Sequence, residues 1–191
     1  MKKSMIKYEI FSIVFIFIFG VILHYTFDWS GRNLIVGSFS SVNESTWEHL
    51  KLIFFPILIT IIGGIFYNKS TFKKYLVSKT KGLIYSLIFS IVFFYIYTGI
   101  LGSNIAFIDI FSFLVSIILS ELVFFQNYIY GSNENYKTSI IVLTMLLMCF
   151  IIFTYSPPKI NLFKDPITGT FGIFRTQNWK ERCFYAPLFS K

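Results

Sequence analysis

The chain has 191 residues, 55% of them hydrophobic and 14% charged, with a formal net charge of +8 and a mean hydropathy of +0.68. A soluble globular domain carries about a quarter of its residues as charges, so this composition excludes one and points to an all-α integral membrane protein. Nucleic acid is set aside as a partner, because the surplus lysines flank apolar runs and do not form one basic surface.

Charge-free intervals run from 10 to 27, 52 to 68, 82 to 108 and 138 to 158, and a fifth run, 110 to 133, is broken only by Glu121. Each is close to the roughly 20 residues that cross a hydrocarbon core of about 30 Å. Five transmembrane helices are predicted, over 9–27, 48–67, 82–101, 105–128 and 138–156, giving a polytopic domain over 1–156 and a structured C-terminal tail over 157–191. The runs are continuous instead of alternating, which disfavours a membrane β-barrel. Lys2, Lys3 and Lys7 precede the first run as they would in a signal peptide. That run is long for such a segment and no small-x-small cleavage pattern follows, so it is expected to be retained.

Lysine placement predicts the orientation. Lys69, Lys73, Lys74, Lys79 and Lys81 follow the second run without an acid among them, and three lysines against Glu9 mark the N-terminus. Positive-inside bias places both in the cytoplasm and the 99–108 connection outside. The tail then lies outside, against the pull of Lys159, Lys164, Arg175, Lys180, Arg182 and Lys191, and membrane lipid headgroups are natural partners for such cations. Cys149 and Cys183 show no ligand spacing and read as an apolar filler and a single thiol.

With this orientation, polar groups converge on the outer face. His24 ends the first helix, the segment from Val42 to Lys51 opens the second, Asp109 opens the fourth, and Asp165 lies in the tail. Glu121 falls about 18 Å deeper than Asp109 at a rise of about 1.5 Å per residue. A helical step of about 100° puts Glu44, Glu48 and Lys51 on one stripe with Trp47 beside it, and turns His49 away from Glu48. Two carboxylates and an imidazole make a divalent-metal site from His24, Glu44 and Glu48, with a zinc-like cation able to activate water. Glu44, Glu48 and His49 are then the candidate catalytic groups, with Asn43 and Lys51 beside them.

Simpler roles compete at each position. Ser41-x-x-Glu44 and Ser45-x-x-Glu48 both match a capping box, and Trp47 suits an interfacial aromatic belt. Asp109 reads as a boundary charge. Glu121, inside an apolar run, fits a helix-helix hydrogen bond or a proton or cation path. Asp165-Pro166 followed by Thr168-Gly169-Thr170 and Gly172 is tight-turn chemistry, either a plain turn or a lid over the polar cluster. There is no Gly-x-Ser-x-Gly elbow, His-Glu-x-x-His pair or phosphate loop.

The segments Val42-Asn43-Glu44-Ser45-Thr46-Trp47-Glu48-His49-Leu50-Lys51 and Asp165-Pro166-Ile167-Thr168-Gly169-Thr170-Phe171-Gly172-Ile173 resemble those of a family of small multi-pass membrane proteins of low-GC Gram-positive bacteria, a domain of unknown function. The resemblance runs from His24 to about Ile173 and implies a bacterial inner membrane. It assigns no activity and no site residue. From the residues, the first reading is a multi-pass inner-membrane protein of unknown activity with a polar, metal-binding type of site at its outer face; if it is an enzyme, the expected chemistry is that of a membrane hydrolase or transferase acting on a lipid-linked or small-molecule substrate. The alternatives are a small transporter or solute-binding subunit, and a non-catalytic assembly or immunity-type protein.

Overall fold

The computed structural model describes residues 3–67, 71–131 and 135–173. Lys2, Lys69, Arg175, Lys180, Arg182, Cys183 and Lys191 lie outside the described residues. Among the described residues six α-helices follow one another: α1 (Lys3–Trp29), α2 (Leu34–Gly37), α3 (Thr46–Tyr67), α4 (Phe72–Leu101), α5 (Ala106–Tyr130) and α6 (Tyr136–Tyr155). A 3-10 turn at Asn161–Phe163 begins the tail. All but α2 are long and apolar enough to cross a membrane. The protein is a multi-pass helical membrane protein, and its exposed Ile10, Phe11, Val14 and Ile18 on α1, with Ile88, Val92 and Ile96 on α4, form the surface that lipid covers.

The central element is α3. Leu50, Ile53, Phe54, Ile57 and Ile61 recur at three- and four-residue intervals and are all buried, so one face of α3 forms the spine of the core. Around it pack α1, α4 and α6, while α5 packs against α4 and α1. Five spans put the N-terminal end of α1 with the α3–α4 and α5–α6 connections on one face. The 30–45 loop, the α4–α5 connection and the tail share the other.

The main departure from expectation is α4, which begins at Phe72 and not near 82. The lysine-rich stretch read as a loop is therefore mostly helix. Its charges find partners that let the helix continue: Lys79 is buried in ion pairs with Glu9 and Glu121, Lys81 donates to Asn127 Oδ1 at 3.2 Å, and Lys73 and Lys74 lie over the rings of Tyr136 and Tyr128. For the same reason α1 begins at Lys3, ahead of a fully buried Glu9.

Helix α4 approaches α5 unusually closely at Gly82. A Cβ there would collide with the backbone carbonyl oxygen of Ser120, so only glycine permits this spacing.

Candidate functional site

The 30–45 loop turns back onto the ends of α1 and α3. Ser40 Oγ donates to the Leu23 carbonyl at 2.8 Å. From α3, the buried Lys51 ammonium donates to the carbonyls of Gly37 and Ser40 at 2.9 and 3.3 Å and to Glu48 Oε2 at 2.6 Å. The same Glu48 oxygen accepts from the Val42 N–H at 3.1 Å, and the Thr154 hydroxyl of α6, which donates to the Phe150 carbonyl at 2.7 Å, lies 3.4 Å from Oε1. Glu48 and Lys51, 2 and 0% exposed, thus tie α2, the loop, α3 and α6 together. They act as a buried ion pair with its remaining polar positions filled, the condition under which such a pair is tolerated.

The capping boxes form only in part. Ser45 Oγ accepts from the Glu48 N–H at 3.4 Å, but the reciprocal bond is replaced, because the Ser45 N–H donates to Asn43 Oδ1 at 2.8 Å. Ser41 Oγ donates to the Asn43 carbonyl instead of capping the helix.

Glu44 lies before α3, and the predicted stripe with Glu48 and Lys51 does not form. Freed from the helix, its carboxylate reaches both histidines. Glu44 Oε2 is 3.4 Å from His49 Nε2 and Oε1 is 3.9 Å from His24 Nε2. The imidazole rings lie 5.2 Å apart between centroids at 37°. His49, expected to face elsewhere, joins His24 and Glu44, and one ligand atom from each of the three lies within 4.8 Å of the others. Glu48 belongs to the separate network with Lys51.

His49 Nδ1 lies 2.9 Å from the Ser45 carbonyl oxygen. A carbonyl only accepts, so Nδ1 carries a proton, and Nε2 faces the Glu44 carboxylate. This is the arrangement that orients metal-bound histidines in general. His24 Nδ1 is buried and makes no hydrogen bond. The side chains of His24, Glu44 and His49 keep 25, 33 and 39% of their surface exposed, leaving room for a ligand from the membrane face.

The remaining polar positions are dispersed. Trp47 is a packing hub: its ring contacts Phe150 and Phe153 of α6 and Phe163 of the tail, with centroids 4.7, 5.6 and 4.8 Å away. Asn43 Nδ2 donates to the Gly172 carbonyl at 2.9 Å and so docks the tail. Asp165 is buried and accepts from the N–H groups of Ile167 and Thr168 at 2.8 and 3.3 Å, closing the turn. Thr168 Oγ1 shares a hydrogen bond with Thr170 Oγ1 at 2.7 Å on the surface. Gly172 has φ +67, and a Cβ there would press on Pro157 and the Thr154 carbonyl oxygen at 3.1 Å. The tail turn is structural, docked on the loop through Asn43. Asp109 accepts from the Tyr97 hydroxyl, and from Asn104 Nδ2 at 3.3 Å.

Glu121 lies toward the opposite face and pairs with Lys79, joined by Glu9. Sequence reading treated Glu9 and Lys79 as flanking charges. The signal available was Glu121 itself: a carboxylate inside an apolar helix requires a counter-charge, and lysines near the helix ends are the candidates.

Fold and polar sites together define a multi-pass helical membrane protein with a histidine-carboxylate cluster at one face and an ion-pair cluster in its core. The chain belongs to the family of unknown function DUF6512, whose model matches residues 1–173 and takes in both the Val42–Lys51 segment and the tail turn. No curated protein and no solved structure matches it.

Proposed function

We propose that His24, Glu44 and His49 hold a zinc-class divalent cation, and that the protein is a membrane hydrolase or transferase acting on a lipid-linked substrate. The observation that carries this reading is the convergence of the three donor atoms, with His49 Nδ1 anchored on the Ser45 carbonyl so that Nε2 faces the cluster. Around tetrahedral zinc, ligand atoms lie roughly 3.3 Å apart. The separations of 3.4 and 3.9 Å run to different oxygens of Glu44, and one donor atom from each residue lies within 4.8 Å of the others, so the cluster would close by up to about 1.5 Å around an ion.

Two histidines and one carboxylate are a ligand set that leaves a coordination position for water, which the cation would activate or which a substrate oxygen would replace. The cluster sits near the end of α1 and the start of α3, and a site near the ends of spanning helices favours a substrate carrying its reactive group at the end of a lipid. Glu48 is committed to Lys51, Val42 and Thr154, so Glu44 and His49 remain as the groups nearest the reaction. Lys7, Lys73, Lys74, Lys81 and Lys137 lie toward the opposite face, which supports a cytoplasmic N-terminus and an outer-face cluster in a bacterial inner membrane.

Elemental analysis of protein purified without chelator tests the reading. About one equivalent of zinc or manganese per wild-type chain is expected, lost in His24→Ala and His49→Ala and kept in Glu48→Gln. Wild-type protein that stays metal-free after incubation with either ion overturns it.

A further inference from the structure

The second cluster lies in the core, toward the face opposite the histidines. Glu9 is about 9 Å along α1 from its start, Lys79 about 10 Å along α4, and Glu121 about 14 Å from the end of α5. All three are 2% exposed or less. Lys79 Nζ is 2.6 and 2.8 Å from the two oxygens of Glu121 and 2.5 Å from Glu9 Oε2. It also lies 4.5 Å from the centre of the Phe124 ring.

One ammonium therefore faces two carboxylates. If all three were ionised, the membrane core would hold an uncompensated negative charge, and an unpaired buried charge is among the costliest features a membrane protein can carry. Lys79 cannot resolve this alone, because it supplies a single positive charge. A metal cation fits poorly, since Nζ already occupies the position between the carboxylates. A proton fits.

Glu9 supplies a second, independent observation. Although fully buried and beside Nζ, neither of its carboxylate oxygens makes a well-directed hydrogen bond. It lies within reach of both Glu121 and the Tyr75 hydroxyl. A proton on Glu9 gives this carboxyl, which has an ion-pair contact but no well-directed hydrogen bond, a donor to offer Glu121. The titratable groups around the cluster are Tyr8 and Glu9 of α1, Tyr75 and Lys79 of α4, and Glu121 of α5. Among the described residues, α3 contributes the Thr60 carbonyl, which accepts from Tyr8 at 2.7 Å and Tyr75 at 3.5 Å. Tyr8 is thus engaged with the backbone, Tyr75 stands between the Thr60 carbonyl and Glu9, and a phenol keeps its own proton at neutral pH, so the carboxyl pair is left as the place for the additional proton.

We infer that Glu9 and Glu121 form a proton-binding site in the membrane core, sharing one exchangeable proton against the fixed positive charge of Lys79. The ligand is the proton itself, and its loss would set two carboxylates against each other where α1 meets α4 and α5. The site is distinct from the histidine cluster and does not depend on metal there.

Infrared difference spectroscopy of full-length protein in lipid vesicles tests this. Near neutral pH, wild-type protein is expected to show the carbonyl band of one protonated carboxyl, which moves to lower frequency in D2O and disappears as pH is raised. Glu9→Gln and Glu121→Gln each leave one carboxylate balanced by Lys79, so each should lose the band. If either variant does not fold, wild-type protein carrying carboxyl-13C glutamate decides, because the band must shift with the label. A wild type without the band, a band insensitive to D2O or to the label, or a band that persists in a folded glutamine variant overturns the proposal.

Discussion

Glu48 and Lys51 differ from their neighbours Glu44 and His49 in how completely the fold has committed them. Glu48→Gln leaves the Lys51 ammonium buried against carbonyls without a counter-charge, and should cost about 3–5 kcal/mol. The double change Glu48→Gln/Lys51→Met should cost less than Glu48→Gln alone, because it removes the stranded charge. Chemical unfolding in detergent micelles measures both, and equal losses would mean that the pair is not coupled. His49→Ala should change stability by less than about 1 kcal/mol, as expected for a partly exposed side chain, while removing bound metal. The sequence showed that two acids, a histidine and a lysine crowd into a few residues. It did not show which acid serves which role. The helical wheel assumed that Glu44 was on the helix, whereas α3 begins at Thr46 and leaves Glu44 free to turn toward His24.

At the scale of elements, the α4–α5 pairing depends on Gly82, one helical turn beyond Lys79, and on Ser120, adjacent to Glu121. Their backbone approach is what lets a lysine on one helix reach a carboxylate on the other. Gly82→Ala should lower stability by about 1–3 kcal/mol through overpacking. Gly99→Ala, in the same helix with nothing within 4 Å of its Cβ, should be neutral or slightly stabilising. Thermal unfolding of the two variants side by side separates contact from helix propensity. The five spans themselves were legible, because a run of about 20 apolar residues is a local property. The start of α4 was not, because a lysine reads as a helix-ending charge until its partners on α1 and α5 are known. In the tail, Asp165, Gly169 and Gly172 announced a turn, and the turn is there, with a bridge between Lys164 and Phe171. Its berth on Asn43 could not be read from spacing.

For the whole molecule, the two polar clusters lie toward opposite faces, because Glu9 stands near the start of α1 and His24 near its end. The histidine cluster shares its side with the α4–α5 connection, and the Glu9–Lys79–Glu121 cluster lies toward the α3–α4 connection. In a Cys149→Ser/Cys183→Ser background, Asn104→Cys should react with an impermeant thiol reagent applied to intact cells, and Thr71→Cys only after the membrane is opened. The reverse pattern would invert the orientation and place the histidines inside. The sequence by itself determined membrane class, span number and the crowding of polar groups in Val42–Lys51, since these follow from hydropathy and local order along the chain. Only the tertiary structure decided which charges pair. Pairing depends on distances between residues far apart in sequence: 20 residues bring Glu44 to His24, 42 bring Lys79 to Glu121, and 129 bring Asn43 to Gly172. In a low-dielectric core, those pairings determine which charged group is structural and which stays available for chemistry.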